Sequence, residues 1–567
     1  MTFYSDLHCH PTGMNFPKFS VEDESRLASA KAHPWRIKKG NKNKLAKGKR
    51  ATAYSQSDFA RLIHGKVKLV IASLYPFEHA FLNHVRKTPD GDSQKYSSYL
   101  DLQRSAPGFT TALVLGITKD RVYYMRDDKF DYWNELNKEY EFMLRKSGIP
   151  AAAKIRHDQD EDGKIRKGEK KIRVKGTYWV VARNPDHVAY NNPYESNVGF
   201  KPAEYLDTVL HKENETAVVL TIEGMHSLSM ANHIFPVGED ELMSRIKTIK
   251  KWDPPILFMT FGHHFDNNLC SHAHSIFRVP ILEDWNPDQT VNMNYITDPI
   301  ENPTQDRSKG FTRLGFKAVL ELLHLKEVDG NITDQASEGH RILIDTKHMS
   351  ASARMEMYRR IIEPYNQTKP EDKHIPVIAS HSAYSGITTL KQMIARYNDE
   401  LDKFPPERRS EFLTGYGFNP WNINLSDEDI HIICLTKGLI GISFDQRILG
   451  LPDSQSKDNN WNNIDLIINN ILGMLKAAKG VDKHLFDSNE HSIWDCFSIG
   501  TDFNGVIDPV NKYPTAIDFE EFATDLREKL NSPMFEEYNI TNDNVNQVVE
   551  RISFMNIQRF VKKHLST

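Results

Sequence analysis

Eight stretches of the chain share one pattern: a short unbroken run of apolar and β-branched residues that stops abruptly at polar or histidine-bearing ones. They are TFYSDLH (2–8), VKLVIASLYP (67–76), AVVLTIEGMH (217–226), PILFMTFGHH (255–264), RILIDTKH (341–348), IPVIASHS (375–382), LIGISFD (439–445) and FSIGTDFNG (497–505). Runs without polar alternation suit strands covered on both faces, as in a parallel sheet. Most are followed by apolar residues at helical spacing, as in EDELMSRIKTIKKW (239–252), FTRLGFKAVLELLHL (311–325), SARMEMYRRIIEPY (352–365), DEDIHIICLTKG (427–438) and IDLIINNILGMLKAAKG (464–480). Alternating strand and helix implies right-handed crossovers and an α/β architecture. Eight such units match a (β/α)8 TIM barrel.

At 567 residues the chain is long for a single barrel, but barrels accept insertions at their loops. The expectation is one domain over 1–567, with insertions near 31–50, 77–175, 270–309, 395–424 and 450–462. The basic stretch 31–50 and the mixed-charge stretch 153–175 read as solvated loops, because neither interleaves aromatics as stacking surfaces do. FDYWNELNKEYEF (130–142) reads as a helix with a core face and not as a ligand box.

Hydrophobic content of 39% supports a sizeable core, and a net charge of −4 does not suit a protein that tracks nucleic acid or an acidic membrane. Cys9, Cys270, Cys434 and Cys496 lie far apart, forming neither a disulfide framework nor a zinc-finger pattern, and fit a reduced, cytoplasmic setting. The N-terminus is polar at once, and no apolar stretch approaches the ~18 residues of a membrane span. A soluble protein with no nucleic-acid and no membrane partner is expected.

The chemistry gathers where the apolar runs end. His8 and His10 follow the first, Glu223 ends the third, His263 and His264 the fourth, His348 the fifth, His381 the sixth and Asp502 the eighth. In an α/β barrel that end carries the active site, built from strands far apart in sequence. One such histidine alone would be an ordinary hydrogen-bonded core residue; six positions obeying one rule are harder to dismiss. On an extended segment an HxH pair points both imidazoles to one face and Cys9 away. Imidazoles and carboxylates without thiolate suit zinc, with manganese, iron or cobalt also open. The set exceeds one tetrahedral ion and fits two divalent ions sharing a carboxylate, an arrangement that holds hydroxide near neutral pH and polarises a carbonyl or phosphoryl oxygen.

The stretches GKVKLVIASLYP, TIEGMHSL, FMTFGHHFDNN, GFTRLGFKAVLELL, LIDTKHMS, PVIASHSAYSG and SIGTDFNGV, in this order, resemble the membrane (renal) dipeptidase family of the amidohydrolase superfamily. The resemblance covers most of the chain outside the insertions. It implies a binuclear zinc hydrolase of dipeptides: His8, His10 and Asp502 on one ion, His348 and His381 on the other, and Glu223 between them. Asp502 would move the proton from the nucleophilic hydroxide to the leaving amine. His263, favoured over His264, would stabilise the oxyanion. Dimerisation is usual among such relatives. Asp266 and Asp345 would orient histidines, while His226, His272 and His274 would support the site or lie in loops.

Two departures from the family pattern stand out. The family has HxD after its first strand where this chain has HxH. The family's carboxylate-binding arginine beyond the sixth-strand histidine is also missing, leaving Arg447 or Arg313 as spatial substitutes. The ligand set would equally serve another small amide, a lactone or a phosphoester. A non-catalytic barrel that binds a partner through its basic insertion is the alternative from another class, weakened because no candidate ligand has been lost.

Overall fold

The computed structural model describes residues 3–18, 20, 29, 31–35, 55–78, 83–87, 93–97, 118–127, 129–156, 171–183, 190–192, 195–203, 206–232, 235–265, 267–273, 310–400, 418–450, 463–479, 492–507, 509–538, 540 and 544–565. Every one of the eight apolar runs contains a strand: β1 (Tyr4–Cys9), β2 (Val67–Leu74), β3 (Glu215–Glu223), β4 (Ile256–Thr260), β5 (Leu343–Asp345), β6 (Ile378–Ser382), β7 (Leu439–Ile442) and β8 (Phe497–Ile499). They pair in that order, parallel throughout, with Ser5 opposite Leu69, Val218 opposite Val70, Met259 opposite Ile344 and Ile440 opposite Phe497. Just beyond β8, Asp502 N donates to His8 O at 2.9 Å and His10 N donates to Phe503 O at 2.9 Å, which joins the last strand to the first. The fold is a (β/α)8 TIM barrel. Its closing bonds are made by the backbone of three candidate ligands, so closing the barrel also brings those ligands together.

The missing alternation has its expected cause. Apart from Glu215 every residue of these strands is buried, one face filling the barrel and the other meeting helices. Each fully buried aliphatic side chain contributes ~1.5–3 kcal/mol of transfer free energy. Close approach matters at one place. Gly441 and Gly500 press against the carbonyl of Ser380, where no side chain would fit, so that β6, β7 and β8 converge beneath His381.

The helical stretches form α1 (Tyr132–Leu144), α2 (Glu239–Lys250), α3 (Arg313–Leu322), α4 (Ala351–Met357), α5 (Asp427–Leu435) and α6 (Asn463–Lys479). Side-chain caps fix several starts: Asp131 accepts from Asn134 N at 2.7 Å, Thr312 from Gly315 N at 3.0 Å, and Ser426 forms a capping box with Asp429. The stretch 352–365 is not one regular helix: α4 gives way to a π-helical turn over Tyr358–Ile362 before the helix resumes to Gln367.

The mixed-charge stretch 153–175 departs from expectation. Ala151–Arg156 and Lys171–Ala182 pair antiparallel, and Thr177–Val180 extend the sheet beside the start of β3. Buried Val174, Tyr178 and Val180 give this strand an apolar face, which the surrounding charges mask in the sequence. Residues 157–170 lie outside the described residues, as do 36–50, 274–309, 401–417, 451–462 and with them Asp266 and His274. Among the described residues no helix is long and apolar enough to cross a membrane.

Candidate metal centre

Glu223 ends β3 at the mouth of the barrel, buried, and the candidate imidazoles converge on its two oxygens. His10 Nε2 lies 3.0 Å from Oε2. Around Oε1 stand His8 Nε2 at 3.3 Å, His263 Nε2 at 3.5 Å, His348 Nε2 at 3.6 Å and His381 Nε2 at 3.8 Å. Asp502 Oδ1 lies 3.5 Å from His10 Nε2 and 3.8 Å from His8 Nε2, and its Oδ2 is 3.9 Å from His381 Nε2. Two ligand groups overlap at the glutamate: His8, His10, Glu223 and Asp502 on one side, Glu223, His348 and His381 on the other. These match the two sets implied by the sequence resemblance. A third group, His263, His264 and His348, adjoins them.

The donors fit divalent ions. His8 Nε2 and His10 Nε2 are buried with no hydrogen-bond partner and face carboxylate oxygens at 3.3 Å and 3.0 Å, close to the separation of two ligands on one tetrahedral ion. The rings are also aimed from behind. His10 Nδ1 bonds Ser73 O at 3.2 Å, and His381 Nδ1 bonds Ser380 Oγ at 2.9 Å. Asp345 holds that serine from β5, accepting from Ser380 Oγ at 2.6 Å and Thr260 Oγ1 at 2.7 Å. Asp6, beneath the first pair, accepts from Thr501 N at 3.0 Å and His8 N at 3.2 Å. Such outer hydrogen bonds fix ring orientation and tautomer.

The backbone is strained where the chemistry sits. His348 and Asp502 have φ of 66° and 61°, and β-branched Val506 has φ of 65°. Left-handed backbone at such residues costs ~1–3 kcal/mol each and clusters at functional sites. Gly505 packs against the Asp502 carboxylate, so a methyl group there would displace it.

The protonation pattern divides the imidazoles. Burial holds His348 and His381 far below the ordinary histidine range, so both are neutral. Burial disfavours the charged form of His10 too, yet Glu223 and Asp502 outweigh it and raise it to about 10. Burial lifts the Asp502 carboxyl, with the charge of Glu223 adding to it. A metal ligand must shed its proton, so metal uptake near neutral pH is expected to release at least one proton, from His10, and to tighten as pH rises. Calorimetric titration of metal in buffers of different ionisation enthalpy reads this directly; a heat independent of the buffer would place the metal elsewhere.

Of the other expected residues, His226 bonds Pro76 O at 2.8 Å and His272 bonds Ala273 O at 3.1 Å, and neither belongs to a ligand group. Arg447 follows β7 and is tied to Asp445, its Nε 2.9 Å from Oδ1 and Nη2 2.6 Å from Oδ2, with Nη2 also donating to Val506 O at 2.9 Å. Exposed Arg313 pairs with half-buried Glu239 on the outer helices. Three residues were not singled out from the sequence. Glu78, after β2, holds His263 Nδ1 at 2.5 Å and accepts from Phe265 N at 3.2 Å. Glu139, on α1, borders a cleft beside His10. Lys347 is buried beside His348, its Nζ without a hydrogen-bond partner; burial lowers it to about 8 against the pull of Asp502 and Asp345.

No family model and no curated protein match the chain. Solved structures do. It is similar over its whole length to the dipeptidase AC, a metallopeptidase, at 10% identity and a TM-score of 0.44, covering 99% of that chain. A metallopeptidase from Rhodobacter sphaeroides, liganded with a phosphinate mimic of the dipeptide L-Ala-D-Ala, matches at 10% identity and a TM-score of 0.47, all of both chains being covered. The probable dipeptidase PvdM from Pseudomonas aeruginosa matches at 11% identity and 0.42, with 100% of this chain and 96% of that one covered. These are remote likenesses; the barrel rests on its own strand pairing.

Proposed function

We propose that this protein is a metal-dependent hydrolase of a small amide, first of all a dipeptide, working with two divalent ions, zinc in first place, shared across Glu223. The observation that carries the reading is the convergence of His8, His10, His348 and His381 on that one carboxylate, with Asp502 beside them, at the mouth of the barrel. Ions bound there would supply hydroxide at neutral pH and polarise the scissile carbonyl.

The chain's own groups supply the rest. Asp502 is the proton carrier, taking a proton at its carboxylate and handing it to the leaving nitrogen. Its raised proton affinity suits that exchange. His263 would donate from Nε2 to the developing oxyanion. Burial works against its charge, but Glu78 and Glu223 outweigh burial and raise it to about 10, so the donor is charged at neutral pH. The motif resemblance favours a dipeptide over other carbonyl substrates.

Arg447, which follows β7 at the mouth of the barrel, is the candidate for the substrate's carboxylate. Asp445 already offsets part of its charge, so its contribution is modest. Arg447→Ala is expected to raise KM for dipeptides several-fold while leaving kcat nearly unchanged, read from steady-state kinetics. An unchanged KM removes the residue from the site. The reading as a whole is tested by offering the zinc-loaded protein a dipeptide panel beside a lactone and a phosphodiester. Turnover of dipeptides above both is expected, and turnover of neither amide nor ester would sink it.

A further inference from the structure

A cleft borders His10, with an apolar wall of Met14, Phe16, Phe77 and Met125. Besides His10 its lining holds one arginine, Arg121, and one carboxylate, Glu139. Glu139 is 2% exposed, and its hydrogen bonds come from neutral donors, Thr12 Oγ1 to Oε1 at 2.8 Å and Tyr75 N to Oε2 at 2.8 Å. One turn earlier on the same helix, buried Glu135 has its cation, Arg121, which also donates to Ser20 O at 2.8 Å. Among the described residues no lysine or arginine is paired with Glu139. A carboxylate accepts about four hydrogen bonds, and two are in use. Burial makes that charge unfavourable and the nearby charge of His10 offsets only part of the cost, so the site favours a cationic guest.

The position links this group to the proposed chemistry. Ser73 O holds His10, and two residues on Tyr75 N holds Glu139. The Tyr75 ring lies 4.8 Å from that of His263 and 5.7 Å from that of His10. We propose that this cleft receives the amino end of the substrate, Glu139 binding its free ammonium group and the apolar wall its side chain. The substrate class is then an amide of an α-amino acid with an apolar side chain and an unblocked amine. The proposal rests on the hydrolase reading for the nature of the substrate. The cleft itself can be tested without turnover.

The test is calorimetric titration of the full chain with leucinol and with its des-amino analogue isohexanol, on metal-loaded and on metal-free protein. Leucinol is expected to bind at least ~10-fold more tightly in both forms, and Glu139→Gln to abolish the gap. Equal binding of the two compounds, binding of neither, or a gap that survives Glu139→Gln would overturn the proposal. A gap that vanishes with the metal would also overturn it, since the amine would then be binding the ion. The wild-type comparison needs no variant and so does not depend on how Glu139→Gln folds. Failure of the hydrolase reading looks different: leucinol preferred, but L-Leu-Gly left intact by metal-loaded protein.

Discussion

Glu223→Gln is expected to lose at least one of two bound metal equivalents and to lower kcat/KM by roughly a thousandfold or more, about 4 kcal/mol of transition-state stabilisation. Five imidazoles approach the Glu223 carboxylate, and its proton affinity is held well below the ordinary range: burial works against this, and His8, His263 and His10 overcome it. An amide keeps the shape but offers one weak oxygen and no charge. The two ligand groups then no longer share a member, and each is left with fewer anionic donors than a divalent ion needs. Metal analysis beside kinetics reads both effects. Near-normal hydrolysis with both metals retained would mean that Glu223 does not join the two groups.

Asp502→Asn is expected to separate binding from turnover. The amide oxygen can still face His8 and His10, so most metal is retained, but the side chain can no longer accept a proton from the nucleophile or pass one to the leaving amine. A fall in kcat of roughly a thousandfold with little change in KM is expected, the middle of the range that general acid–base groups commonly contribute. The acid limb of the wild-type pH profile should disappear with it. A variant that keeps the wild-type kcat would move the proton-carrying role to another group.

Much of the barrel could be read in the sequence, because strands buried on both faces leave unbroken apolar runs, and strand ends at the mouth expose polar residues at a fixed point of each run. The HxH pair was legible for a similar reason: period two puts His8 and His10 on one side and sends Cys9 into the core, where it is buried. The residues that support the site were not legible. Glu78 meets His263 across 185 positions of sequence, and nothing local marks a glutamate in YPFE as its partner. Glu139 sits in a stretch whose aromatic spacing reads as a plain core helix, and only the packing of α1 against the segment after β2 brings it beside His10. The left-handed backbone at His348 and Asp502 likewise has no sequence signature, since neither residue is a glycine. The paired strands 151–156 and 171–182 were hidden by charge, because buried Ile155 and Val174 are each flanked by lysine and arginine.

Metal content per chain, measured by plasma mass spectrometry on protein purified without chelator and again after zinc loading, tests the central claim most directly. About two equivalents, falling to one or fewer in Glu223→Gln, is the expected result. Wild-type protein that neither carries metal nor takes up added zinc would contradict a paired centre on Glu223, and the hydrolase reading with it.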